Sequence, residues 1–288
     1  MQPTAKSLIL DLLSTLRGGA MAVRALVVAG GLFGIAENNI RVELARLTTR
    51  GLVERDERGQ YRLARRAEAV QSRVVSWSRI EERMSPWSGG WIGVHTGALP
   101  RSDRRGARRR RRAFDFLGFR ELDPGLWIRP DNLRGGIDDL RRQLAALGLD
   151  PEASVFTMTA LDALTEARAR RLWDVAALRA GYRALHDALV ASERRVAALP
   201  AEQAMAETFL LGGRAIRELV LDPLLPEPIL PSAERRALLA AMRRYDRVGR
   251  GHWSRFMRAH GAASGRSPVD LRLPSGDGER AAAAGGAQ

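Results

Sequence analysis

A mixed α+β chain in three folded parts is what this sequence predicts, and three observations predict it. Apolar residues near the N-terminus recur at helical spacing in three short segments, then give way to two short runs around a glycine turn. In the middle of the chain, strand-like runs alternate with amphipathic helices. From Ala163 onward the apolar residues keep a three-and-four spacing. These patterns divide the chain into residues 1–66, a connecting helix and linker at 67–90, a central part at 91–162, a helical part at 163–260 and a tail at 261–288. The tail is rich in Gly, Ala and Ser, a composition that builds no packed core, and is expected to be disordered.

In the first part, Ala5–Leu16 carries Leu8, Ile9, Leu12, Leu13 and Leu16 on one face, and Ala22–Gly31 supplies Val23, Leu26 and Val27. Gly34-Ile35-Ala36 makes a tight break. Glu37–Arg50 follows, with Ile40, Leu44 and Leu47 as its apolar stripe and Gly51 where a helix stops. Leu52–Arg55 and Gln60–Leu63 read as strands around the turn Asp56–Gly59. Helix, helix, turn, helix, hairpin is the order of a winged helix-turn-helix, whose last helix is sized for the DNA major groove. On that helix Asn38, Asn39, Arg41, Val42, Arg46 and Thr49 are the candidates for base edges and phosphates, because arginine suits guanine and asparagine suits adenine. Arg55, Arg58 and Arg62 would set the hairpin against the backbone phosphates.

In the central part, "WIGVH", a strand at Leu126–Arg129 and "SVFTMTAL" are separated by helices over Arg101–Leu117 and "GIDDLRRQLAALG". That alternation suggests a ferredoxin-like α+β domain. In the helical part, Val175, Leu178, Tyr182, Leu185, Leu189, Ser192, Val196 and Leu199 form one seam, which a long helix would turn toward its own domain or toward a second copy. "DPLLPEPILP" is a stiff connector that cannot be a helix interior.

The chain of 288 residues carries 47 Lys+Arg against 33 Asp+Glu, and the excess favours a polyanionic partner. Lys6 is the only lysine, and residues 71–150 form the most basic stretch, with a net charge of +6. Cysteine is absent, which excludes disulfides, thiolate nucleophiles and zinc–cysteine sites. No apolar run is long enough to span a bilayer, and "SLILDLL" is interrupted by Asp11 and lacks a cleavage pattern. A cytoplasmic protein that does not engage membranes is the expectation.

The stretches "FGIAENNIRVELARLTTRGLVERDERGQYRL", "WSGGWIGVHTG", "RRRRRAFDFLGFRELDPGLWIRPDNL" and "LDPLLPEPILP" make the chain resemble the PaaX-like transcriptional regulators, named for a bacterial repressor of phenylacetate breakdown. The resemblance implies the same three parts, with a central domain similar to a CRISPR-associated nuclease fold. It also implies a DNA-binding homodimer, acting as a repressor on an inverted-repeat operator and released by an acyl- or aryl-coenzyme A. Such an effector needs cations for its phosphates, offered by Arg104, Arg105, Arg108, Arg109, Arg110, Arg111 and Arg112, and aromatic surface, offered by Trp127, Trp173 and Tyr182. The run Arg108–Arg112 has two other readings, a solvated helix face and a contact with DNA phosphates.

Catalytic patterns are not visible. The nuclease likeness raises a metal-dependent nuclease as one alternative and a protein-binding scaffold as another. Asp103 lies at the start of the basic helix, and the adjacent Asp138 and Asp139 point in different directions on theirs. His95, His186, His252 and His260 lack metal-ligand spacing, and the glycine pairs form no phosphate loop. The expectation is a non-enzyme without a cofactor or a metal.

Overall fold

The computed structural model describes residues 2–15, 20–64, 76–97, 99 and 104–260. Most of the expected connecting helix at Ala67–Glu81, the start of the helix at Arg101, Asp103 and the tail at 261–288 lie outside them. The chain mixes helices with two small antiparallel sheets, the α+β class that the sequence predicts. It forms two compact units: residues 2–69 together with the chain from Trp253, and residues 70–252.

The first unit opens with α1 (Ala5–Thr15). Thr4 and Ser7 cap it reciprocally: the Ser7 amide donates to Thr4 Oγ1 at 3.2 Å and the Thr4 amide to Ser7 Oγ at 3.0 Å. Leu8, Ile9, Leu12 and Leu13 are its buried stripe. β1 (Met21–Ala22) leads into α2 (Val23–Gly31), and after a short turn comes α3 (Glu37–Thr49). β2 (Val53–Arg55) and β3 (Gln60–Leu63) form the hairpin, and the sheet order is β1-β3-β2. The two-residue β1, too short to be read from the pattern, gives the hairpin a third strand through Met21 opposite Tyr61.

Two glycines fix α3. A side chain on Gly30 would place its Cβ 2.9 Å from Ile40 Cγ1, so α2 and α3 meet this closely only because Gly30 has none. At the other end Gly51 takes a φ of +64°, its amide donates to Thr48 at 2.9 Å, and the next amide, Leu52, donates to Leu47 at 3.0 Å. That pair of bonds satisfies the carbonyls a helix end leaves open and turns the chain directly into β2.

The second unit contains a 3-10 helix at Ser76–Arg83, then β4 (Trp91–His95), α4 (Arg104–Phe116), β5 (Arg120–Asp123), β6 (Leu126–Pro130), α5 (Gly136–Ala146) and β7 (Ser154–Met158). The sheet order is β5-β6-β4-β7, every neighbouring pair antiparallel. The sequence shows three strands here and the structure has four. β5 was hidden because Arg120, Glu121 and Asp123 give it a polar composition, and because a bulge between Glu121 and Asp123 breaks its register with β6.

Helices α6 (Ala163–Arg170), α7 (Val175–Val196), α8 (Ala201–Val220) and α9 (Ala233–Ala259) follow. One apolar cluster runs from Trp91 and Ile92 of β4 and Phe114 of α4 through Tyr182, Leu185 and Leu189 of α7 to Leu238 and Tyr245 of α9. The α7 seam is therefore covered by its own chain. Its two polar members are satisfied there: Ser192 Oγ lies 2.7 Å from the Tyr245 hydroxyl, and Tyr182 donates to Asp222 at 2.6 Å.

Candidate nucleic-acid interface

On α3, Ile40, Leu44 and Leu47 are buried, which turns Asn38, Val42, Ala45 and Thr49 down the centre of the outward face. Arg41 flanks this row on one side, and Asn39 and Arg46 on the other. All seven are exposed. Val42, 40% exposed, is a large apolar side chain in the middle of a polar surface, suited to the methyl group of a thymine. The side chains of Asn38 and Asn39 have no hydrogen-bond partner among the described residues. Thr49 donates its hydroxyl to Ala45 at 3.1 Å and keeps its lone pairs outward.

The arginines here are held loosely. Arg41 pairs with Glu37 at 2.6 Å and Arg46 with Glu43 at 3.6 Å. The Arg41 and Glu37 side chains are 54% and 56% exposed, so this pair contributes only about 0.3–0.5 kcal/mol and opens cheaply to another anion. In the hairpin, Asp56 Oδ1 accepts from the amides of Arg58 at 3.0 Å and Gln60 at 2.8 Å, which fixes the turn. Arg62 pairs with Glu54 directly across the strands at 3.2 Å. Arg55 and Arg58 are exposed and have no ion pair among the described residues.

The arginine run on α4 divides in two. Arg109 donates to the Gly148 carbonyl at 2.8 Å and reaches Asp150 at 3.3 Å, while Arg110, almost buried, donates to the other Asp150 oxygen at 2.8 Å. The Arg110 hydrogen bond holds the Asp150 carboxyl below the usual range. Arg111 pairs with Asp115 at 3.4 Å and lies 5.0 Å over the Trp127 ring, which stacks on Phe114 beneath. Arg104, Arg105, Arg108 and Arg112 are exposed and have no partner among the described residues. Arg104, Arg108 and Arg112 repeat at i, i+4 and i+8, where like charges cost about 0.2–0.5 kcal/mol per pair.

The aromatic effector candidates do not gather around those arginines. Trp173 and Tyr182 line a cavity of about 260 Å³ with Arg120, Leu178, Glu218 and Leu238. Trp173 stacks on Trp91 with ring centres 6.2 Å apart and donates to the Gly118 carbonyl at 3.2 Å. Trp127 sits under Arg111, apart from this cavity's lining. Arg120 and Glu218 were not singled out in the sequence, where each looks like an ordinary surface charge.

Behind the cavity is a buried polar network. Asp222 accepts from Tyr182 and, at 2.7 Å, from the Leu224 amide, and lies 3.7 Å from Arg235. Burial pushes its carboxyl up, while Arg235 and Tyr182 pull it back. Arg129 donates to the carbonyls of Pro130, Leu117 and Pro223 and to Asn132, and Asn132 donates to Leu224 at 2.7 Å. Burial, with Arg83 nearby, lowers the Arg129 guanidinium to about 9, so it stays charged at neutral pH. The proline-punctuated segment is the hub of this network, and its sequence signal was an aspartate set directly before the apolar Pro223-Leu224-Leu225.

Asp138 and Asp139 pair with Arg141 and Arg142 on their own helix, both at 3.0 Å. Among the described residues, no group of three His, Asp or Glu is placed to hold a metal, and no helix is long and apolar enough to cross a membrane.

The model of the family described as PaaX-like protein matches residues 4–67, the stretch that builds α1 through the hairpin. The resemblance carried by the first quoted stretch is thereby borne out, and the family is one of regulators. The uncharacterized protein Rv0674 from Mycobacterium tuberculosis is similar in structure, with a TM-score of 0.58 and 25% sequence identity over 87% of this chain and 99% of that one. No curated protein matches the sequence.

Proposed function

We propose that this chain is a sequence-specific duplex-DNA-binding regulator of transcription. Its first unit serves as a winged helix-turn-helix, and the sheet of the second as a ferredoxin-like domain. The observation that carries the reading is α3 itself. Ile40, Leu44 and Leu47 anchor one face, Gly51 ends the helix cleanly, and the opposite face offers Asn38, Val42 and Thr49 flanked by Arg41 and Arg46. Arg55 and Arg58 continue the positive surface onto the hairpin. The family match at residues 4–67 supports the same assignment.

Base contacts then come from α3, at about 1–3 kcal/mol of discrimination per good bidentate pair, and the hairpin arginines fix the register on phosphate. A homodimer binds an inverted repeat, because a two-fold protein axis asks for a two-fold site. The cavity lined by Trp173, Tyr182 and Arg120 takes the effector, an aryl- or acyl-coenzyme A whose acyl group occupies the aromatic wall. Selection of bound duplexes from a random pool tests the central claim. An enriched, two-fold symmetric sequence is the expected result, and a pool returned without enrichment would sink it. Cleavage of labelled nucleic acid in magnesium or manganese would instead favour a nuclease.

A further inference from the structure

We propose that α4 is a second DNA-contacting surface, at which Arg104, Arg108 and Arg112, with Arg105 on their shoulder, grip the phosphate backbone independently of the bases read by α3. The proposal rests on the function proposed above for the identity of its partner and adds a surface to it. The three arginines occupy successive turns of one helix face, about 6 Å apart and about 12 Å end to end. That span exceeds a single phosphate group and suits a line of them. All four side chains are exposed and lack any hydrogen bond or ion pair among the described residues. The helix that carries them is tied to the rest of its unit by Arg109 and Arg110 on Asp150, so the row is held at a fixed spacing.

A merely solvated helix face does not need this pattern. The neighbouring α5 shows the ordinary one: Asp138 with Arg141 and Asp139 with Arg142, opposite charges three residues apart. α4 has one such pair, Arg111 with Asp115, but its remaining arginines do the reverse. Its free arginines stack like on like, its first turn holds two of them and no acid, and its last turn holds no base, so the charges oppose the helix dipole as well. A polyanion laid along the row turns each of these unfavourable terms into a favourable one. Duplex DNA presents such a polyanion, with regularly spaced phosphates and a strong counterion-release term.

The test measures binding of the full chain to a labelled random-sequence duplex across a salt series. Each phosphate neutralised adds about 0.9 to the slope of log affinity against log salt. Replacing the row with glutamine (Arg104→Gln, Arg108→Gln, Arg112→Gln) lowers the slope by about 2–3 units, and Arg108→Gln alone lowers it by about one. Lysine at the same three positions keeps it. A charge-matched control at exposed arginines of the same unit, Arg171→Gln with Arg194→Gln and Arg214→Gln, leaves it near the wild-type value. The glutamine row also melts at or above the wild-type temperature, since like-charge repulsion has gone, and selects the same sequence from a random pool. An unchanged slope in the row variants, or an equal loss in the control, would overturn the proposal and leave an acidic protein as the partner to consider. Failure of the selection alone would overturn the role of α3 while a slope difference on random duplex still upheld α4.

Discussion

Arg41 and Arg58 carry the same charge and face solvent in the same unit, yet they sit in surroundings that assign them different work. Arg41 is on the exposed side of a helix, paired with Glu37 at 2.6 Å in a contact that opens cheaply, and its planar fork of donors is what base recognition needs. Arg58 is in the hairpin turn, its side chain without an ion pair among the described residues, where it can follow a phosphate but cannot measure a base edge. Arg41→Ala is therefore expected to relax the preference at one position of the binding site by about 1–3 kcal/mol. Arg58→Ala is expected to weaken every duplex alike and to lower the salt slope by about one unit. Binding measured on a set of single-base variants at several salt concentrations separates the two, and identical profiles would refute the division. This face of α3 was legible in the sequence because Ile40, Leu44 and Leu47 fixed which side is buried, and the opposite side follows from helix geometry alone. The pairing of Arg41 with Glu37 is a four-residue spacing that could also have been read there. That Gly30 is a point of contact, set by Ile40 on another helix, could not.

Among the elements, α4 shows how a helix loaded with arginine is kept in place. Arg110 is nearly buried and depends on Asp150, which Arg109 shares from the helix surface. Asp150→Asn would leave Arg110 enclosed without its counter-charge, at an expected cost of about 1.5–3 kcal/mol at neutral pH. The pH dependence follows from the direction of the shift. The Asp150 carboxyl titrates below its unfolded-state value of about 3.9. The stability it contributes is thus complete above that value and disappears as pH falls through the folded-state one. Thermal melts of both proteins should show a gap at neutral pH that closes below about pH 4, and a gap that persists in acid would assign the loss to packing instead. Elements of this kind, long and periodic, could be read from sequence. β1 and β5 could not, the first for its length and the second for its charges and its bulge, since each is a strand only by virtue of a partner. The segment 76–83 looks like the end of an α-helix by spacing and is a 3-10 helix, with Arg79 at φ −117° breaking the regular turn.

For the whole molecule, the cavity and the outward face of α3 belong to separate compact units, so under the proposed function a ligand acts on DNA binding only through a difference in its affinity for two states of the protein. Saturation with the right thioester, at about a hundred times its dissociation constant, is expected to stabilise the fold by about 2.7 kcal/mol, which is several degrees of melting temperature. The same ligand should weaken operator binding, and free coenzyme A should do less of both. A panel of acyl- and aryl-coenzyme A esters that moves neither quantity would remove the effector from the proposed function. The sequence placed Trp173 and Tyr182 among the candidates without the means to show that they share a wall with Arg120, because β5 is brought against α7 and the turn before it only by packing.

The network of Arg129, Asn132 and the carbonyls of Pro223 and Leu224 has a consequence for how the chain comes to be folded. Its hydrogen bonds join positions 92 and 94 residues apart, and Leu224 holds a φ of +52°, a conformation it keeps only while those bonds exist. Loop-closure entropy must be overcome before such distant contacts return anything, so this unit cannot lock until the chain beyond residue 224 has been made. The contacts among α1, α3 and the hairpin close within the first 64 residues and require no such wait. On the ribosome α3 is accordingly expected to take shape early, and the four-stranded sheet to remain unlocked for most of translation, the interval in which its strand edges stand open to aggregation and to chaperones.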